Sequence, residues 1–162
     1  MSRQAVCPGS FDPVTHGHVD VFQRAANVFE HVVVAVMDNP AKTYTFSHDE
    51  RMTFVHEAVA GLTNVTVASF SGLLVTFCQE QGITTVVKGL RAGADFAYEQ
   101  QMAQMNAAVG QIETVFLPAT PVHSFVSSTF VRQIAHGGGD VGMFVTANVK
   151  AALERLRQPN GT

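Results

Sequence analysis

Residues 8–18 read PGSFDPVTHGH, which sets one imidazole on each side of Gly17. His16 and His18 have two candidate chemistries. Together they could ligate a metal; separately, only one of them would do chemistry. Zinc motifs place histidines at i and i+4 on a helix, with further His, Cys or carboxylate ligands close by. Here a single residue separates them and the nearby acids are Asp12 and Asp20, so the metal pair ranks last. The preceding residues fit an ordinary capped strand-to-helix turn, which glycine and proline alone would favour, or an anion site: Gly9 lets backbone come close to a ligand, Ser10 offers a hydroxyl, and Gly17 stands where a helix begins and its unpaired N–H groups point outward. This is a phosphate-binding geometry without a Walker lysine.

Such a loop has to be carried between a strand and a helix. Valine-rich apolar runs at 5–7, 32–37, 65–70, 85–87 and 115–117 alternate with helix-length amphipathic segments, the pattern of a parallel α/β sheet. In such sheets ligands gather at the carboxyl ends of the strands. The run VVVAVM at 32–37 is apolar at every position, as a strand covered on both faces requires. The helix after the loop carries Phe22, Ala25, Ala26 and Phe29 on one face. Ser47 with Glu50 predicts a capping box ahead of the apolar stripe Met52, Phe54, Val55 and Ala58.

The segment 94–109 has two faces. Tyr98, Met102, Met105 and Val109 follow helical spacing as an expected core stripe, and Asp95, Glu99 and Asn106 fall on an adjacent polar line. That line lacks the lysines and arginines of an ordinary solvated face. The run Gly137-Gly138-Gly139 ends a helix over 128–136 as a C-cap and turn. It is not a dinucleotide fingerprint, because no G-x-G-x-x-G follows the first strand.

Composition bounds the reading. A chain of 162 residues, 46% hydrophobic, fits one core, so a single domain over 1–162 is expected. The formal net charge of -3 lacks the basic field that collects nucleic acid, yet leaves room for a small phosphorylated substrate. Cys7 and Cys78 lie far apart and read as reduced core thiols. Neither a leader nor a bilayer-length apolar run is present, so no membrane association and a cytoplasmic location are expected. His31, His48, His56, His123 and His136 match no motif and read as surface or structural, and 158–162 as a short polar end.

Thr15-His16-Gly17-His18 after a P-G-S-F-D-P turn, with the late run SFVSST at 124–129, resembles the nucleotidyltransferase superfamily that includes class I aminoacyl-tRNA synthetases and small cytidylyl- and adenylyltransferases. Between them, NPAK at 39–42, DER at 49–51 and VKGLRAGADFAYE at 87–99 make the chain similar, from residue 5 to the last helix, to the bacterial phosphopantetheine adenylyltransferases. The resemblance implies a single-domain Rossmann-like nucleotidyltransferase fold, with a five-stranded parallel sheet and helices on both faces. It also implies transfer of an adenylyl group from ATP to 4'-phosphopantetheine in the penultimate step of coenzyme A synthesis. Attack is in line, without a covalent enzyme intermediate. Mg2+ would ride on the ATP phosphates with no protein metal site, coenzyme A would feed back on the enzyme, and two trimers would form a homohexamer.

Residue by residue, the resemblance puts Ser10 between the substrates and makes His18 a donor to the α-phosphate, with Lys42 and Arg91 completing the catalytic set. Phe11, Gly89, Leu90, Arg91 and Glu99 match positions bordering ATP. Ser124, Phe125, Val126 and Phe130 belong to the same ATP-binding set, and Ser127, Ser128 and Thr129 match hydroxyls and N–H groups for the outgoing pyrophosphate. Lys42 and Lys88 match cations for the phosphopantetheine phosphate, and Leu74, Met102 and Asn106 match the lining of its arm. Phe130, Gln133 and Ala97 depart from the family's usual residues, and Ser10 replaces a frequent threonine while keeping the hydroxyl. Rival readings are a relative that uses nicotinamide mononucleotide or glycerol phosphate, and a catalytically silent nucleotide- or coenzyme-binding module.

Overall fold

In the computed structural model, which describes residues 3–157, five parallel strands stand in the order β3-β2-β1-β4-β5. The chain runs β1 (Gln4–Gly9), α1 (His16–Val28), β2 (His31–Met37), α2 (His48–Val59), β3 (Val65–Phe70), α3 (Leu74–Gln81), β4 (Thr85–Leu90), α4 (Gly93–Gly110) and β5 (Glu113–Pro118). A 3-10 turn at Pro121–His123, α5 (Ser128–His136) and α6 (Ala147–Arg157) follow. The polar end at 158–162 lies outside the described residues.

The strand order reverses direction between β1 and β4, so a crevice opens beyond their carboxyl ends, where the loop 10–15 begins. β1 and β4 outrun their apolar stretches. β1 takes in Pro8 and Gly9, and β4 takes in Lys88 and Gly89. Backbone pairing continues to the strand tips (Gly9 opposite Val36, Gly89 opposite Leu117), whereas burial on both faces stops short of them.

Alternation along the strands sends side chains into two cores. Ala5, Cys7, Val32, Val34, Val36 and Val87 join Phe22 of α1, Val55 of α2, Val131 of α5 and Leu153 of α6 on one face. Val6, Val33, Ala35 and Val86 join Val75, Phe77 and Cys78 of α3 on the other. Both cysteines are free and buried, as expected.

One expectation fails. Tyr98, Met102, Met105 and Val109 of α4 are 65%, 41%, 59% and 62% exposed, and none of this helix's described side chains is buried. Helical spacing was read correctly, but α3 already covers the second face of the sheet, and among the described residues nothing buries the α4 stripe. The capping box Ser47/Glu50 forms as predicted. A second one, Thr15/His18, opens α1, with histidine where the usual rule asks for Glu or Gln. Among the described residues no helix is long and apolar enough to cross a membrane.

Candidate active site

The loop after β1 is held by tethers from distant elements. Arg51 of α2 donates to the Ser10 carbonyl at 2.7 Å, Arg132 of α5 to the Asp12 carbonyl, and the Ser128 hydroxyl to the Pro13 carbonyl at 2.8 Å. The Asp12 carboxylate accepts from the N–H groups of Thr45 and Phe46 at 2.8 and 2.9 Å. These bonds satisfy carbonyls and a carboxylate that the turn itself leaves without partners. Phe11 sits in the left-handed region at φ 48°, which costs a non-glycine residue roughly 1–2 kcal/mol. Burial of its ring, edge-on to Phe22 at 5.3 Å and to His18 at 5.2 Å, offsets that cost. The ring folds back over Gly9, where an added Cβ would lie 2.8 Å from its tip. Gly9 is therefore required by the chain's own phenylalanine, a different cause from the ligand approach expected of it.

His18 is fixed in one tautomer. Its Nδ1 accepts from the Thr15 backbone N–H at 3.0 Å, so the proton of the neutral ring resides on Nε2 and the ring is a donor. Burial first, and then the Arg91 and Lys88 cations, push its pKa down to about 4. His18 thus stays neutral at physiological pH and can donate without titrating. We expect 15N NMR to find Nε2–H at pH 7 and no titration of this ring between about pH 7 and 5. Because the folded pKa lies below the unfolded 6.5, the unfolded chain takes up the proton first. Stability therefore falls as pH drops from 6.5 towards 4, an effect that His18→Ala removes.

Opposite this loop stand the end of β4 and the start of α4. A cavity of about 240 Å³ is lined by Ser10, Phe11, His18, Lys88, Gly89, Arg91, Asp95, Glu99 and Val126. Beside it a second cavity of about 290 Å³ takes in Leu74, Met102 and Asn106. The two share Pro8, Gly9, Lys88 and Glu99. Lys88 lies 3.4 Å from the Glu99 carboxylate, and Arg91 pairs with Asp95 at 3.4 Å while donating to the Val126 carbonyl at 3.0 Å. Two members of the α4 polar line, Asp95 and Glu99, are thus the counter-charges of Arg91 and Lys88, while the third, Asn106, lines the second cavity. Lys42, on an exposed loop, donates to the Ser10 hydroxyl at 3.2 Å. Cys7 lines the first cavity, but burial pushes its thiol up to about 12, so it is no nucleophile at neutral pH.

Some expected residues lie apart from the two cavities. Lys42, Leu90, Ser124, Phe125, Ser127, Ser128, Thr129 and Phe130 line neither of them. Ser127 caps α5 by accepting from the Phe130 N–H at 3.1 Å, and Ser128 commits its proton to Pro13. The free donors at that helix start are the N–H groups of Ser128 and Thr129, the first two of the helix. His123, read as surface or structural, instead lines the first cavity. Its place before the SFVSST run was the only sequence signal available. His16 lines neither cavity and its Nδ1 faces the Met143 carbonyl at 3.1 Å, so the two histidines do not converge. Among the described residues no three His, Cys, Asp or Glu side chains gather as metal ligands. In the first cavity Asp95 and Glu99 are each engaged by a cation.

Residues 6–134 match the cytidylyltransferase-like family. Over 156 residues, 96% of this chain and 98% of the relative, the sequence is 51% identical to a phosphopantetheine adenylyltransferase of Streptomyces coelicolor. With the T-x-G-H loop at the sheet's switch point and a parallel sheet of this order, the chain belongs to the phosphopantetheine adenylyltransferases of the cytidylyltransferase-like superfamily.

Proposed function

We propose that the protein transfers the adenylyl group of ATP to 4'-phosphopantetheine, yielding dephospho-coenzyme A and pyrophosphate in the penultimate step of coenzyme A synthesis. The observation that carries this reading is the pair of abutting cavities that meet at Lys88. The first, with His18 and Arg91, suits a nucleotide triphosphate. The second, with Leu74, Met102 and Asn106, suits a flexible arm of mixed polarity.

A phosphate oxygen of phosphopantetheine attacks the α-phosphorus in line. One P–O bond forms, the bond to the bridging oxygen breaks, and its electron pair leaves on pyrophosphate; no protein proton has to be transferred. The demand is therefore for positioning and for stabilising charge on a five-coordinate phosphorus. His18 donates from Nε2 to the α-phosphate. Lys88 and Arg91 neutralise charge at the junction of the cavities, and Lys42 with Ser10 receives the attacking phosphate. Gly89, Leu90 and Glu99 border ATP along with Phe11, and the segment Ser124 to Phe130 closes that side. The N–H groups opening α5 face outgoing pyrophosphate. Magnesium belongs to the substrate here, carried on the ATP phosphates.

Met105 and Val109 of the exposed α4 stripe line neither cavity, which supports their burial between subunits, and we assign them to contacts of a homohexamer of two trimers. Coenzyme A, which combines both substrates' moieties, would occupy both cavities as a feedback inhibitor. We place the activity in the cytoplasm.

The test is direct. Protein mixed with magnesium, ATP and 4'-phosphopantetheine is expected to release pyrophosphate and form dephospho-coenzyme A, with ATP made in reverse. Turnover with nicotinamide mononucleotide and none with phosphopantetheine would replace this substrate assignment, and binding of both substrates without pyrophosphate release would make the protein a silent binding module.

A further inference from the structure

Arg51 is wholly buried, and although its Nε finds no partner, its terminal nitrogens and ring neighbour tie together the loop after β1, the end of β2 and the turn 39–44. Its Nη1 donates to the carbonyls of Ser10 at 2.7 Å and Met37 at 2.9 Å, joining the ends of β1 and β2. Its Nη2 lies 3.6 Å from the Asp38 carboxylate. The Tyr44 ring stacks on the guanidinium at 3.8 Å, and the Tyr44 hydroxyl accepts from the Asn39 N–H at 3.2 Å, which closes the turn 39–44. The Lys42 ammonium lies 5.5 Å from the centre of that same ring and donates to the Ser10 hydroxyl at 3.2 Å.

A lysine on an exposed loop ordinarily sweeps many rotamers, and ordering it costs free energy. A cation near an aromatic face is attracted by the ring's quadrupole, which lowers that cost. Tyr44 supplies such a face: it seats on a buried arginine and offers its ring to Lys42. Burying a guanidinium is itself costly unless its hydrogen bonds are made, and those it makes hold the backbone of Ser10, the residue to which Lys42 points. We propose that Tyr44, anchored on Arg51, is a positioning residue that aims the Lys42 ammonium at the Ser10 hydroxyl, where the phosphate monoester of the acceptor substrate is received. The proposal rests on the adenylyl-transfer reading for the identity of that phosphate, but not for the placement of Lys42.

Two measurements test it. With Tyr44→Leu, the KM for 4'-phosphopantetheine is expected to rise about tenfold while the KM for ATP stays within about twofold. Tyr44→Phe, which keeps the ring, is expected to restore the parent's KM. In the ligand-free protein, 13C-methylation of its three lysines, at 42, 88 and 150, should give a Lys42 signal displaced by the ring current. That displacement is lost in Tyr44→Leu and kept in Tyr44→Phe. Unchanged kinetics in Tyr44→Leu, or equal losses for both substrates with lowered thermal stability, would overturn the proposal and leave Tyr44 as packing. Should the parent fail to turn over phosphopantetheine, the functional reading falls, and the Lys42 signal alone then decides the positioning.

Discussion

His18→Ala will lower kcat by about 10²- to 10³-fold, roughly 3–4 kcal/mol, with little change in the affinity for ATP. The loss belongs to the transition state because the donor is preorganised. Nδ1 is occupied by the Thr15 N–H, the ring is neutral, and Phe11 packs edge-on against it. A neutral Nε2–H strengthens its bond as charge builds on the α-phosphate oxygens and needs no reorganisation to do so. His16→Ala will stay within about tenfold of the parent, since the His16 ring lines neither cavity and faces the Met143 carbonyl. Single-turnover rates on both variants make the comparison. Comparable losses in the two, together with metal found in the parent by elemental analysis, would restore the paired-ligand account of the loop.

Lys88→Ala will impair both substrates, lowering kcat/KM for each by about 10²- to 10³-fold. Lys88 lines both cavities and is the cation paired with Glu99. Its removal takes away a stabilising charge and leaves the Glu99 carboxylate facing two polyanions. A like charge left unpaired in a partly buried site is itself destabilising. Adding Glu99→Gln to Lys88→Ala will therefore recover about tenfold of the loss. Lys42→Ala, by contrast, will act mainly on the acceptor substrate, because Lys42 lines neither cavity and meets only the hydroxyl of Ser10, the residue we place between the two substrates. Kinetics of the double-mutant cycle decide the matter: a Lys88→Ala defect confined to one substrate, or one that Glu99→Gln deepens, would show that the two cavities do not share this cation.

Much of this site was legible before any coordinates. The loop 8–18, the cations Lys88 and Arg91 and the polar line of α4 were all singled out, and the structure places Ser10, His18, Lys88, Arg91 and Glu99 around one cavity. His123 was missed because a lone histidine carries no spacing of its own. The exposed face of α4 was misread because apolar periodicity reports which residues favour burial, not what is present to bury them.

The amino-acid sequence alone determined the alternation of strands and helices, the Ser47/Glu50 cap, the T-x-G-H loop and the family. These are local: each depends on side-chain type at spacings of one to four residues, which the backbone turns into a face or a cap. Only the tertiary structure decided how the loop is held and how its charges are matched. Arg51 reaches Ser10 across 41 residues, and Arg132 and Ser128 reach Asp12 and Pro13 across 120 and 115. Such pairings arise because the crossover order of the sheet brings distant segments to one crevice, and there each unpaired carbonyl must take whatever donor the packing supplies.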